Sequence, residues 1–70
     1  DAGMSVFSER LRAKRKQAKL TQEQVAERLG ITRAAYTMYE TDKTQPTLET
    51  AAKIAEILET SLDYLTGRYN

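Results

Sequence analysis

Cysteine, histidine and tryptophan are all missing from these 70 residues. Without cysteine there is no disulfide framework, and without cysteine or histidine the usual sulfur and nitrogen ligands of zinc and a histidine-based catalytic dyad are excluded. The fold must rest on packing alone. No apolar run approaches the ~18 residues of a membrane span. The opening Asp1, Ala2, Gly3 and Met4 lack the charged and apolar regions of a signal peptide. A soluble, cytoplasmic chain is expected, with no membrane partner. Residues 1–3 have no structural use and read as an addition ahead of a native start at Met4. Acidic residues are scattered along helices, and there is no glycine-rich phosphate loop, metal-ligand cluster or activated nucleophile. No enzyme, cofactor or metal is expected.

What is present is enough for one core. A hydrophobic content of 40% in 70 residues suits a single domain that buries roughly 60% of its unfolded surface. The net charge of +1 conceals an asymmetry: residues 1–33 carry eight Lys/Arg against four Asp/Glu, and residues 34–70 carry three against six. Arg10, Arg12, Lys14, Arg15, Lys16 and Lys19 crowd one stretch with no acid among them. A protein approaching a polyanion would be arranged in this way, and so would an ordinary solvated helix face.

Periodicity and caps place five short helices. Ser5 can cap a first helix with Phe7, Leu11 and Ala18 on its apolar side, ending near Lys19. Thr21 and Gln24 form a capping box for a second helix that Gly30 closes. Thr32 caps a third, which runs to Glu40 or Thr41 with Tyr36 and Tyr39 inward. The only polar, turn-rich stretch follows, from Thr41 to Pro46. Thr47 then caps a fourth helix whose core stripe reads Leu48, Ala51, Ile54, Ala55 and Leu58, and Leu62 to Leu65 form a fifth before Gly67. The fold class is all-α, a compact bundle of five helices.

The window from Gln22 to Thr41 is specific. Two helices crossing steeply through a tight turn need a small residue where they approach, here Ala26, and a residue tolerant of positive φ, here Gly30. They also need inward residues on both helices and in the turn, supplied by Val25, Leu29, Ile31, Tyr36 and Tyr39. This is a helix-turn-helix pattern. With Tyr36 and Tyr39 fixing the buried stripe, Thr32, Arg33, Ala34, Thr37, Met38 and Thr41 face solvent.

Leu11, Arg15, Leu20-Thr21-Gln22, Val25-Ala26, Leu29-Gly30-Ile31, Glu40 and Pro46 together resemble the phage-repressor, or Cro-like (Xre), helix-turn-helix family over about Phe7 to Leu65. Leu62 to Arg68 is similar to the end of that domain in Gram-positive phage and mobile-element repressors. The resemblance implies a bacterial or phage-encoded, nucleoid-associated transcriptional regulator, a repressor by analogy. Such a protein binds a pseudo-palindromic double-stranded DNA operator as a homodimer. A helix docked in the major groove reads base edges with its N-terminal residues, so the expected readers are Thr32, Arg33, Ala34, Thr37 and Met38. Arg33 can donate bidentately to guanine, and Ala34 and Met38 can contact thymine methyls. Carried over from the family, phosphate contacts fall to Thr21, Gln22, Thr32, Thr41, Lys43 and the loop amides of Thr44 and Gln45. Arg15 and Glu40 match a structural ion pair joining the first helix to the end of the third. Asp42 departs from the family, where glycine is common.

Several readings stay open at this stage. Tyr36 and Tyr39 are read as core rather than as stacking platforms for single-stranded bases. Ile57, Leu62, Tyr64 and Tyr69 form either a dimer interface or ordinary tail packing. Glu23 and Glu27 offer RNA polymerase a contact or are simply an exposed face. A C-terminal oligomerisation or sensing domain is compatible with the abrupt end at Asn70. The rival to a DNA reader is a protein-interaction module on the same fold, such as an antitoxin or antirepressor-binding domain.

Overall fold

The computed structural model describes residues 5–68, within which every regular element is helical: α1 Val6–Gln17, α2 Gln22–Leu29, α3 Arg33–Glu40, α4 Leu48–Ile57 and α5 Leu62–Thr66. The all-α class expected from periodicity is the class observed. The reading of residues 1–3, and Tyr69, lie outside the described residues.

All five helices start in the same way. Ser5, Thr21, Thr32, Thr47 and Ser61 are extended, and each side-chain oxygen accepts the amide hydrogen three residues on. Each cap contributes about 1 kcal/mol over alanine. Thr21 and Gln24 complete the reciprocal capping box.

The helix ends explain where the boundaries fall. A left-handed residue follows every helix: Gly30 and Gly67 at two of them, but Lys19, Asp42 and Glu59, with φ of 61°, 66° and 55°, at the others. The first helix therefore stops at Gln17 rather than near Lys19. Lys19 turns left-handed so that the Leu20 amide can donate to the Arg15 carbonyl at 3.2 Å, the terminal hydrogen bond of a Schellman ending. Ala18, expected on the apolar side, is the exposed C-cap.

All five helices converge on one core of Leu11, Val25, Ala26, Tyr36, Ile54, Ala55, Leu58 and Leu65. Phe7, Leu20, Leu29, Ile31, Tyr39, Ile57 and Tyr64 pack around it, partly buried. Helix α2 packs against α3 and α4, and α1 bridges α3 and α5. Tyr36 is fully buried, whereas Tyr39 is half-buried and edge-on to it, with ring centroids 6.2 Å apart. Leu48 is a correction: expected in the α4 stripe, it is 75% exposed. Periodicity gives a residue's angle about the helix axis. It does not say whether a neighbour reaches that level of the axis, and the buried stripe begins one turn later, at Ala51.

Candidate nucleic-acid interface

The rotation of α3 about its own axis is set by its two buried residues, Tyr36 and Glu40, one turn apart on the same face. Arg33, Ala34 and Met38 are left exposed, with Thr32 exposed at the N-cap. Thr37, expected to face solvent, is half-buried, because its hydroxyl is turned towards α2.

Glu40 anchors this arrangement. Its carboxylate is 2% exposed and meets Arg15 Nε at 2.6 Å and Nη2 at 3.2 Å. Oε2 also accepts the Tyr36 hydroxyl at 2.6 Å, and Oε1 accepts Gln22 Nε2 at 3.0 Å. Arg15 Nη1 donates to the Leu20 carbonyl at 2.9 Å, tying the α1–α2 turn to the same cluster. Burial works to raise the Glu40 pKa, but the hydrogen bonds from Arg15, Tyr36 and Gln22 outweigh it and hold the carboxyl below its usual range. The bond to Glu40 raises the Arg15 guanidinium. Burial, and then the bond to Glu40, pushes the Tyr36 hydroxyl well up. The cluster is thus Arg15⁺, Glu40⁻ and a neutral Tyr36. Among the described residues, no buried side-chain nitrogen or oxygen lacks a partner.

Two members of the cluster have other roles in the expectations from sequence, Tyr36 as an inward core residue and Gln22 as a phosphate contact. The Tyr36 hydroxyl had a signal, since residues four apart on a helix face each other. Gln22 had none, and its placement differs from the phosphate contact expected of it. Its amide donates inward to Glu40, and its carbonyl accepts the Thr37 hydroxyl at 3.0 Å. Its backbone N–H, at the first position of α2, still belongs to the amides that a helix leaves without an internal partner.

Around the start of α2, Arg15, Lys16, Lys19, Thr21, Gln22, Glu23 and Arg33 line one open groove. The hydroxyls of Thr21 and Thr32 accept the cap amides at 3.1 Å each, so their own protons remain available to an outside acceptor. Thr41 Oγ1 donates to the Thr37 carbonyl at 3.0 Å. Lys43 and Gln45 are exposed on the loop after α3. The Thr44 amide has an internal partner. Together with that of Lys43 it caps the Met38 carbonyl, at 3.3 and 2.9 Å, and closes the end of α3. Asp42 turns its carboxylate to the Ser5 amide at 3.2 Å and fastens this loop to the start of α1.

Five of the six basic residues from Arg10 to Lys19 divide between two tasks, and Arg12 is exposed. Arg15, Lys16 and Lys19 face the groove. Arg10 and Lys14 instead lie over the Tyr64 ring, 4.4 and 5.1 Å from its centroid, and Arg10 Nη1 donates to the Tyr64 carbonyl at 2.7 Å. They clamp α5 to α1. Of the four residues read as interface or tail packing, Ile57 and Tyr64 pack on the core, Leu62 is half-buried beside α4, and Tyr69 is not described.

With this geometry in place, the likenesses to known proteins can be weighed. The helix-turn-helix family matches residues 11–65. The "Uncharacterized HTH-type transcriptional regulator YqaE" of Bacillus subtilis is 53% identical over 60 residues, which cover 86% of this chain and 52% of that protein. The chain spans about half the length of the curated relatives it matches, 52 to 56%. Among solved structures, the P22 c2 repressor in complex with a synthetic operator superposes with a TM-score of 0.79 at 32% identity, over 84% of this chain and 89% of that one. Hydroxypropylphosphonic acid epoxidase from S. wedmorenis superposes with a TM-score of 0.80 at 31% identity, over 94% of this chain but only 36% of the enzyme. An enzyme can thus carry this fold as one of its parts, which is why likeness of fold does not by itself assign an activity. The family match across most of the chain and the identity to the regulator agree with the fold and the buried Arg15–Glu40 pair: the chain belongs to the Cro-like (Xre) helix-turn-helix family that the phage repressors share.

Proposed function

We propose that this chain binds double-stranded DNA in a sequence-specific manner with α3 in the major groove, and that the protein it represents is a transcriptional repressor. The observation that carries the reading is the outward face of α3, whose rotation is fixed by the buried cluster of Glu40, Arg15, Tyr36 and Gln22. A pre-set reading face avoids ordering costs on binding. Thr32, Arg33, Ala34, Thr37 and Met38 are the base readers in this account. With one strongly donating side chain among small or apolar ones, specificity is shared between Arg33, methyl contacts and DNA shape.

Phosphates are held by the Thr21 hydroxyl, the first amides of α2 including that of Gln22, and Thr41, Lys43 and Gln45 beyond α3. Lys16 and Lys19, which line the groove at the start of α2, join this set. A homodimer on a pseudo-palindromic operator, with half-sites about 34 Å apart, would draw its interface from Ile57, Leu62 and Tyr64. No helix among the described residues is long and apolar enough to cross a membrane, and a cytoplasmic site of action is part of the proposal.

Selection of bound sequences from random duplexes tests it. Enrichment of one recurring sequence, preferred over scrambled DNA, is expected. A pool that remains random after selection would contradict DNA reading and favour a protein partner.

A further inference from the structure

We infer that Thr37 reads DNA only as a hydrogen-bond acceptor, and so faces an exocyclic amino group, adenine N6 or cytosine N4, in the major groove. The inference rests on the reading that α3 enters that groove.

A threonine hydroxyl normally serves as donor or acceptor, and for that reason discriminates bases weakly. Here its polarity is fixed by a chain of groups that begins in the core. The Glu40 carboxylate is buried, ionised and paired with Arg15, and an ionised carboxylate can only accept. The end of the Gln22 amide that faces it at 3.0 Å must therefore be the NH2. The other end is the carbonyl, and it lies 3.0 Å from Thr37 Oγ1. The remaining close partner of that hydroxyl is the Arg33 carbonyl, at 2.8 Å. Both partners are acceptors without a proton to give. Whichever takes it, the single Thr37 proton stays inside the protein, and only lone pairs are left for a ligand.

This polarity has a direct consequence for base choice. In the major groove guanine offers N7 and O6 and thymine offers O4, all acceptors, whereas adenine N6 and cytosine N4 carry hydrogens. An acceptor-only Thr37 is satisfied by the second pair alone. Arg33, one turn earlier on the same helix, has only donors. The face thus presents a donor and then an acceptor along α3.

The test uses the duplex that the chain itself selects. Each adenine and cytosine of a half-site is replaced in turn by N6-methyladenine or N4-methylcytosine, which still pair but lose the groove-side hydrogen. Each purine is separately replaced by its 7-deaza analogue, which lacks the N7 acceptor. Binding is compared for the native chain, Thr37→Val and Thr37→Ser. At one amine per half-site, methylation should weaken the native chain and Thr37→Ser about fivefold to tenfold more than it weakens Thr37→Val. The 7-deaza replacements should affect all three proteins equally.

Two results would overturn the inference: a 7-deaza purine that costs the native chain several times more than Thr37→Val, or no methylated amine that distinguishes them. Failure to enrich any sequence in the first place would be a different outcome. It would remove the reading of α3 as a base reader, and this inference with it.

Discussion

Burying a carboxylate to 2% exposure is costly unless donors surround it, and at Glu40 four hydrogen bonds from three side chains do so. Removing one member of such a pair strands the other. Glu40→Ala should therefore destabilise the fold by about 3 kcal/mol, the lower end for a broken buried pair because Arg15 retains some contact with solvent. Chemical denaturation reads this directly. The pH dependence follows from the direction of the shift. The Glu40 pKa is lower folded than unfolded, so its stabilisation is present above the unfolded value of about 4.3 and is lost as pH falls through the folded value. The native chain should lose melting temperature in that acid range, and Glu40→Gln should lack this step. At the reading face, Arg33→Ala should relax preference at one base pair by about 1 to 3 kcal/mol. Lys43→Ala should weaken all sequences alike and reduce the salt dependence by about one phosphate. Equal loss on every sequence for both variants would refute the division between readers and phosphate contacts. Arg15 and Glu40 were legible through the family resemblance. The inward turn of Gln22 was not, because a glutamine at the first position of a helix reads equally well as exposed, and only the third dimension places it 3.0 Å from Glu40.

At the scale of the helices, starts were more legible than ends. Ser5, Thr21, Thr32, Thr47 and Ser61 are hydroxyl residues standing just before each helix, and their preference for that position has a local cause. Gly30 and Gly67 also announce their turns. Lys19 and Glu59 do not, because side chains that rarely adopt positive φ give no sequence warning of it, whereas Asp42 stands where the family commonly has glycine and is itself a residue type that tolerates the left-handed region. Asp42 offsets the strain in part through its bond to the Ser5 amide at the start of α1. Lys19 sits at the rim of the groove beside the start of α2, which suggests strain retained for a function. Lys19→Gly should raise stability by about 1 kcal/mol, the ordinary cost of a left-handed side chain. It should also weaken DNA binding to the same extent on all sequences. A gain in stability with unchanged affinity would remove Lys19 from the phosphate contacts. Leu48 marks the limit of periodicity from the other side, since it has the right angle but nothing packs over it at that level.

Across the whole molecule, charge divides between the two halves of the sequence, while both contribute to the core. The first 33 residues, with eight Lys/Arg against four Asp/Glu, contribute α1, α2 and the start of α3, whose residues line the groove at the start of α2. The remainder supplies the rest of α3, α4 and α5, which complete the core. The basic run from Arg10 to Lys19 could not be apportioned from sequence. Arg15, Lys16 and Lys19 line the groove, while Arg10 and Lys14 close over Tyr64. Helix α3, eight residues long, extends only about 12 Å, similar to the width of the major groove, so a few base pairs per chain are within reach. Under the proposed function, specificity over a longer operator would come from a second copy. The most direct test of the account is the affinity of the chain for its selected duplex and for a scrambled one, measured from about 50 to 200 mM salt. The account predicts tighter binding to the selected duplex throughout, weakening steeply with salt on both. It also predicts that Arg33→Ala narrows the gap between them. Equal affinity for the two duplexes, or no binding at the lowest salt, would contradict it.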